Sequence, residues 1–324
     1  MKRIQMELVA GLVGGNPRNW IHLSVARLMC VLFWLILVET MAAAPGSLDL
    51  SFGSGGKATA DVGPGSDTGS GVVVQTDGRL VVAGRSGIHP KIDFALARFT
   101  QTGELDSSFG IGGKVTTPVG VTNGLVWGVA LQNDGKTLVA GRIDQYFGLA
   151  RYTSTGALDP SFGNGGIVAT DLGVGYNLAL QNDGKILVAG HINFDFGLVR
   201  YTTSGTLDTG FGNGGKVTTD VGGADDLRAV VVQNDGKILV AGYSEGGTIG
   251  YDFALARYTS DGELDVGFGN GGKVTTDLGS GYDVAFGLAL QSDHKIVVVG
   301  SVGDVGTDDD IALVRYTSTG ALDT

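Results

Sequence analysis

The motif Leu-Asp-x-(Ser/Gly)-Phe-Gly-x-Gly-Gly begins at Leu48, Leu105, Leu158, Leu207 and Leu264, at spacings of 57, 53, 49 and 57 residues. A sixth Leu-Asp begins at Leu322, 58 residues further on. A period in this range marks a tandem array of one supersecondary unit, which buries its apolar surface only by stacking on its neighbours. The fourth unit shows the plan most clearly. Gly214-Gly215-Lys216-Val217-Thr218-Thr219-Asp220 leads into a variable loop, then Ala229-Val230-Val231-Val232-Gln233, the turn Asn234-Asp235-Gly236, and Lys237-Ile238-Leu239-Val240-Ala241-Gly242. After a second variable loop come Asp252-Phe253-Ala254-Leu255-Ala256-Arg257-Tyr258 and Thr259-Ser260-Asp261-Gly262-Glu263-Leu264-Asp265.

The two runs around Asn-Asp-Gly are short and rich in β-branched residues, and the three turn residues tolerate the positive φ that tight hairpins need. Their near-continuous apolarity, without strict alternation, predicts strands buried on both faces. Glycine supplies 57 of the 324 residues, while the hydrophobic fraction is 43%. That pairing excludes a disordered or collagen-like chain and suits many tight turns between buried strands. Four strands per unit, five units and no predicted helix make an all-β β-propeller of about five four-stranded blades. The alternatives are an open β-solenoid, which favours a more regular period, and an incomplete propeller arc. The six Leu-Asp starts against five hairpin units leave ring closure open.

If Ser260-Asp261-Gly262 is a hairpin loop, Arg257 stands opposite Asp265. The same offset of eight recurs as Arg98 with Asp106, Arg151 with Asp159, Arg200 with Asp208 and Arg315 with Asp323. Each is read as a structural ion pair of its blade.

Residues 1–44 are expected to be an export signal or signal anchor, with residues 45–324 the propeller. Lys2, Arg3, Arg18 and Arg27 precede the apolar run Leu28–Val38, and Ala42, Ala43 and Ala44 follow it. Eleven apolar residues fall short of the roughly twenty that span a bilayer as a helix. The expected location is therefore secreted, periplasmic or at the cell surface, with membrane contact only through this segment if it is uncleaved. Cys30 is the one cysteine, so the propeller has no disulfide and relies on packing. A net charge of −11 argues against nucleic acid, whose affinity rests on clustered Lys and Arg.

The run LDVGFGNGGKVTTD, followed by QNDGKILVAG and DFALARYTSDGELD, resembles the delta-60 repeat family of bacterial β-propellers, a pattern similar to NHL repeats. The resemblance covers about Ser47–Thr324. It implies a propeller in an extracytoplasmic setting and supplies no activity and no catalytic residues. Departures are local: Pro118 stands where other units have Asp171, Asp220 and Asp277, and Asp293-His294 replaces an Asp-Gly turn.

Constant turns alternate with variable loops along each unit, so an antiparallel blade places all variable loops on one face. Function on rigid scaffolds resides in such loops. Trp127, Tyr176 and Tyr282, read as standing just before the innermost strand, are candidates to stack on a sugar or grip a peptide, and His89 and His191 follow the Val-Ala-Gly strand on the same face. His294, in a turn of the opposite face, cannot join them in a three-histidine metal site. Asp304, Asp308, Asp309 and Asp310 form an acidic loop that offers calcium carboxylate oxygens but lacks the spacing of a known calcium loop. Nucleophile-elbow, phosphate-loop and zinc-protease patterns are absent, and no cofactor is called for.

Two functions follow. The first is a binding or scaffold module for a glycan, peptide or surface polymer. The second is a propeller-type hydrolase or lyase with its site at the channel mouth, whose sign is convergence of non-repeating polar side chains. The expectation is that they disperse.

Overall fold

The computed structural model describes residues 46–120, 123–246, 250–279, 281–303 and 308–324. The segment expected to act in export and Asp304 therefore lie outside the described residues. Contacts divide the chain into residues 1–50 and 51–324, and every sheet lies in the second unit.

Among the described residues there is no helix, and the strands form five sheets, the blades of a β-propeller. Blade 1 comprises β1 (Ser66–Val74), β2 (Leu80–Ile88), β3 (Lys91–Phe99) and β4 (Lys114–Thr117). Blade 2 comprises β5 (Gly124–Leu131), β6 (Thr137–Ile143), β7 (Tyr146–Tyr152) and β8 (Ile167–Thr170). Blade 3 comprises β9 (Val174–Leu180), β10 (Ile186–Ile192), β11 (Asp195–Tyr201) and β12 (Lys216–Thr219). Blade 4 comprises β13 (Asp225–Val232), β14 (Ile238–Glu245), β15 (Gly250–Tyr258) and β16 (Lys273–Thr276). The short β17 (Gly281–Tyr282) lies parallel to β15. Blade 5 comprises β18 (Val284–Leu290), β19 (Ile296–Val302) and β20 (Asp310–Tyr316), three strands where the other blades have four.

Strands follow chain order across each blade and pair antiparallel. This settles a register that the repeat leaves open. A blade starts at the Val-Val-Gln strand and ends at the Lys-Val-Thr-Thr strand. Successive first strands contact one another, so these are the strands nearest the axis. The hairpin turns between first and second strands use Gly78, Gly135, Gly184 and Gly236 at φ from +79° to +84°, and His294 takes the same position at +67°.

Four apolar cores lie between adjacent blades. One joins Leu138, Ala140, Phe147 and Leu149 of blade 2 to Leu178, Ile186, Val188 and Val199 of blade 3. The other three junctions repeat it. A strand buried on both faces needs apolar residues at consecutive positions, which is why these runs do not alternate. The outer faces of the two end blades are exposed, at Val72 and Val74 on one side and Phe286, Val299, Ile311 and Leu313 on the other.

Polar ties cross the same junctions. The Arg151 Nε–H donates to Asp159 Oδ2 at 2.8 Å within blade 2, and its Nη1 donates to the Thr203 carbonyl of the next blade at 2.5 Å. The guanidinium also caps the Phe162 ring, 4.5 Å from its centroid. Arg98, Arg200 and Arg257 repeat this, donating to Asp106, Asp208 and Asp265 and to the carbonyls of Ser154, Ser260 and Ser260's counterpart Ser318. In the return direction, the hydroxyls of Tyr152, Tyr201, Tyr258 and Tyr316 donate to Thr117, Thr170, Thr219 and Thr276 of the preceding blade. Arg315 pairs with Asp323 at 2.5 Å but has a half-exposed side chain, 49% against 6% for Arg151.

Removing one partner of a buried pair leaves an uncompensated charge, which costs roughly 3–5 kcal/mol, whereas an exposed pair is worth about 0–1 kcal/mol. Urea unfolding is therefore expected to show Arg151→Ala losing about 3 kcal/mol or more and Arg315→Ala losing under about 1 kcal/mol. Equal losses would mean that the carbonyl tie to the next blade contributes nothing.

The Ser161 hydroxyl and backbone N–H hold the Asp159 carboxyl well below the usual range, and Ser108 does the same for Asp106, against the opposing pull of burial. A carboxylate depressed in the folded state adds stability above its unfolded pKa, and that stability is lost as pH falls. Acid unfolding followed by circular dichroism should begin below about pH 4, and Ser161→Ala should move its midpoint to higher pH.

Candidate binding site on the first strands

Each first strand carries a β-bulge at the same place. Pairing skips Ser70 between Gly69 and Gly71, Trp127 between Val126 and Gly128, and Tyr176 between Gly175 and Asn177. It skips Arg228 between Leu227 and Ala229, and Phe286 between Ala285 and Gly287. A bulge frees one residue from the ladder and re-aims its side chain. The cause lies on the second strand, in the glycine that closes the Val-Ala-Gly run or its counterpart. A Cβ on Gly84, Gly141, Gly190, Gly242 or Gly300 would sit 1.8–2.0 Å from a carbonyl oxygen of the bulged strand. Only glycine permits that approach.

The bulge residues of blades 2 to 4 anchor a continuous aromatic belt. Trp127 and Tyr176 have ring centroids 4.9 Å apart, Tyr176 and His191 5.8 Å, and His191 stacks on Phe194 at 6.2 Å. Arg228 lies over Tyr176 at 4.1 Å and over Tyr243 at 5.6 Å. Tyr243 meets Tyr251 at 4.8 Å, and Tyr251 meets Tyr282 at 5.3 Å. Phe194 is 71% exposed at the tip of the β10–β11 turn, where Asn193 and Phe194 both take positive φ, +55° and +68°. A bulky side chain pays strain for that conformation, a pattern that clusters at functional sites.

A polar cluster sits at the centre of the belt. Asp226 Oδ2 accepts from Arg228 Nη2 at 2.7 Å and from the Tyr243 hydroxyl at 3.1 Å, while His191 Nδ1 lies 3.4 Å from both Asp226 Oδ1 and the Tyr176 hydroxyl. Burial, with the Asp226 charge adding, pushes the Tyr176 phenol up to about 12, and burial also raises Tyr243. Both phenols are neutral at ordinary pH and able to donate. Burial disfavours the charged form of Arg228, yet Asp226 and Tyr243 outweigh it and raise its pKa.

The structure thus brings Trp127, Tyr176, Tyr282 and His191 into one assembly. Trp127 and Tyr176 lie within the innermost strands rather than just before them, and Tyr282 lies in β17, ahead of β18. His89 stands apart, in the β2–β3 turn of blade 1, and His294 is in a turn at the opposite ends of the strands. Dispersal holds for His89, His294 and Asp308–Asp310 but not for His191, Asp226 and Arg228, because the bulge of blade 4 directs Arg228 onto Tyr176 of blade 3. Asp226, Arg228, Tyr243, Tyr251 and Phe194 escaped the motif search. A usable signal was present: each bulge residue lies fourteen positions before its glycine, from Ser70 to Gly84 through to Phe286 to Gly300.

Asp308, Asp309 and Asp310 are exposed. Among the described residues, the carboxylates that converge in threes are Asp195 with Asp220 and Asp225, and Asp252 with Asp277 and Asp283. A cleft of about 730 Å³ opens beside Gln132, Asp134, Gln181 and Asn182, away from the belt. Its cations Lys136 and Arg151 are committed to Asp159, and its Asp134 pairs with Lys136.

Residues 75–109, 132–162, 181–211, 233–268 and 291–324 match the family model described as a domain of unknown function (DUF5122) beta-propeller. The chain belongs to this family. The five matched segments each run from the turn after a blade's first strand, through its second and third strands, into the Leu-Asp region. No curated protein matches the chain. Among solved structures, a protein of unknown function from Bacteroides caccae is 12% identical with a TM-score of 0.47, covering 79% of this chain and 80% of that one. A gluconolactonase from Xanthomonas campestris is 13% identical with a TM-score of 0.40, over 71% and 68%. Drosophila Plexin A in complex with Semaphorin 1b is 11% identical with a TM-score of 0.47, over 79% and 52%.

The bulge makes its own prediction. Gly190→Ala forces a Cβ into the Val174 carbonyl and is expected to cost about 3 kcal/mol in chemical denaturation. Gly210→Ala, whose Cβ would meet only ordinary contacts, should stay within about 0.5 kcal/mol.

Proposed function

We propose that this protein is an extracytoplasmic glycan-binding module whose ligand lies along the belt from Trp127 to Tyr282. One observation carries the reading: side chains from three successive blades and the loops beside them converge on an aromatic track with hydrogen-bonding groups at its centre. Aromatic rings offer flat apolar faces to the C–H surface of a sugar, and their rigidity keeps the ordering cost low. The few convergent polar groups, Asp226, Arg228, His191 and the two phenols, supply orientation. The apolar run Leu28–Val38 supports an extracytoplasmic location.

The second reading, a hydrolase or lyase, is favoured by the convergence of His191, Asp226, Arg228 and the two phenols, the sign expected of it, and by the approach of His191 to Asp226. General acid–base work needs a group with a proton to give or a lone pair to spare at working pH. Asp226 is held by Arg228 and Tyr243 on one oxygen and faces His191 with the other, an arrangement suited to a fixed anchor.

The test is calorimetric screening of the full chain against soluble glycans, with intact recovery of the bound glycan monitored by chromatography. Tyr176→Ala, which removes the ring between Trp127 and Arg228, is expected to weaken the best ligand by about tenfold or more. His89→Ala should leave affinity unchanged. Release of shorter products, abolished by His191→Ala, would replace binding with catalysis. Unaltered affinity in Tyr176→Ala would remove the belt from the site.

A further inference from the structure

We infer that Asp195, Asp220 and Asp225 form a binding site for a divalent cation of the calcium class at the junction of blades 3 and 4. Their carboxylate oxygens lie within 4.8 Å of one another. The three positions come from β11, from the residue after β12 and from the first residue of β13, so one ion there joins both blades at their variable-loop end.

An acidic cluster alone is a weak signal, but Asp225 adds an independent one. Its residue is 3% exposed, and Oδ2 accepts from the Val221 and Gly222 N–H groups at 2.6 and 3.4 Å. The other oxygen, Oδ1, is buried without a hydrogen-bond partner. Ser244, paired with Asp225 across the ladder, is 1% exposed, and its hydroxyl faces this carboxylate without reaching hydrogen-bond geometry. A buried carboxylate oxygen left bare costs desolvation energy that a ligand would recover.

The charge balance points the same way. Among the described residues, no Lys or Arg side-chain nitrogen lies within 4.0 Å of these three carboxylates, and Lys273 Nζ reaches only the Asp220 backbone carbonyl, at 2.9 Å. Three hard oxygen donors without nitrogen or sulfur select an alkaline-earth ion over zinc, and calcium tolerates irregular geometry completed by water. Asp252, Asp277 and Asp283 occupy the same repeat positions one blade on, which makes a second site of the same design. Pro118 breaks the pattern at the junction of blades 1 and 2.

The experiment is calorimetric titration of the EDTA-treated full chain with calcium chloride, alongside terbium luminescence sensitised by the nearby tyrosines. Binding with a Kd between roughly 10 µM and 1 mM is expected. The near-isosteric Asp225→Asn should remove one ion per chain or weaken it at least about tenfold. Asp220→Ala, at an exposed position that leaves the core intact, should do the same, with circular dichroism verifying the fold of both. No heat and no terbium signal at about 5 mM ion would overturn the proposal, as would unchanged stoichiometry and affinity in both variants. No glycan enters this titration, so its result is independent of the aromatic belt.

Discussion

A single propeller blade cannot stand alone, because its strands are apolar on both faces and half of that surface stays wet until another blade covers it. The junction between blades is thus the constraint on which everything else rests. Hydrophobic contact alone would let blades slide, since it is non-directional. The arginine tie adds direction. Each of Arg98, Arg151, Arg200 and Arg257 spends one N–H on the aspartate of its own blade and another on a carbonyl of the next, over a phenylalanine face. The tyrosine-to-threonine bond crosses in the opposite sense. Together they specify the angle and height at which one sheet meets another, and five near-identical units inherit the same answer.

That regularity makes the variable positions meaningful. A glycine closing the second strand allows the first strand to bulge, and the bulge presents one unpaired side chain per blade. The scaffold around it is constant, while the presented residue changes from serine to tryptophan, tyrosine, arginine and phenylalanine. Blades 2 to 4 use the device to assemble a belt centred on buried Asp226 and partly buried Arg228. The same loop end of blades 3 and 4 gathers three carboxylates beside it, so Asp225 and Asp226, adjacent in sequence, serve different neighbours.

Much of the architecture was legible in the repeat. Short β-branched runs flanking Asn-Asp-Gly specify hairpins by local chemistry, and the offset of eight between arginine and aspartate is a consequence of loop length. The site was legible only in part. Trp127, Tyr176 and Tyr282 stood out by their reading as residues just before the innermost strand, but no motif marks Arg228. Its role depends on a bulge whose signal, a glycine fourteen residues downstream, reads as an ordinary strand end.

The sequence by itself determined the unit: its strands, turns, ion pairs and the end on which variable loops gather, all of which follow from contacts between residues close in the chain. Only the tertiary structure decided where a blade begins, which side chains the bulges release from the ladder, and that His191, Asp226, Tyr176 and Tyr243 meet. Those encounters join residues of different blades, and the angle of one twisted sheet on the next, which no local pattern encodes, sets their distances.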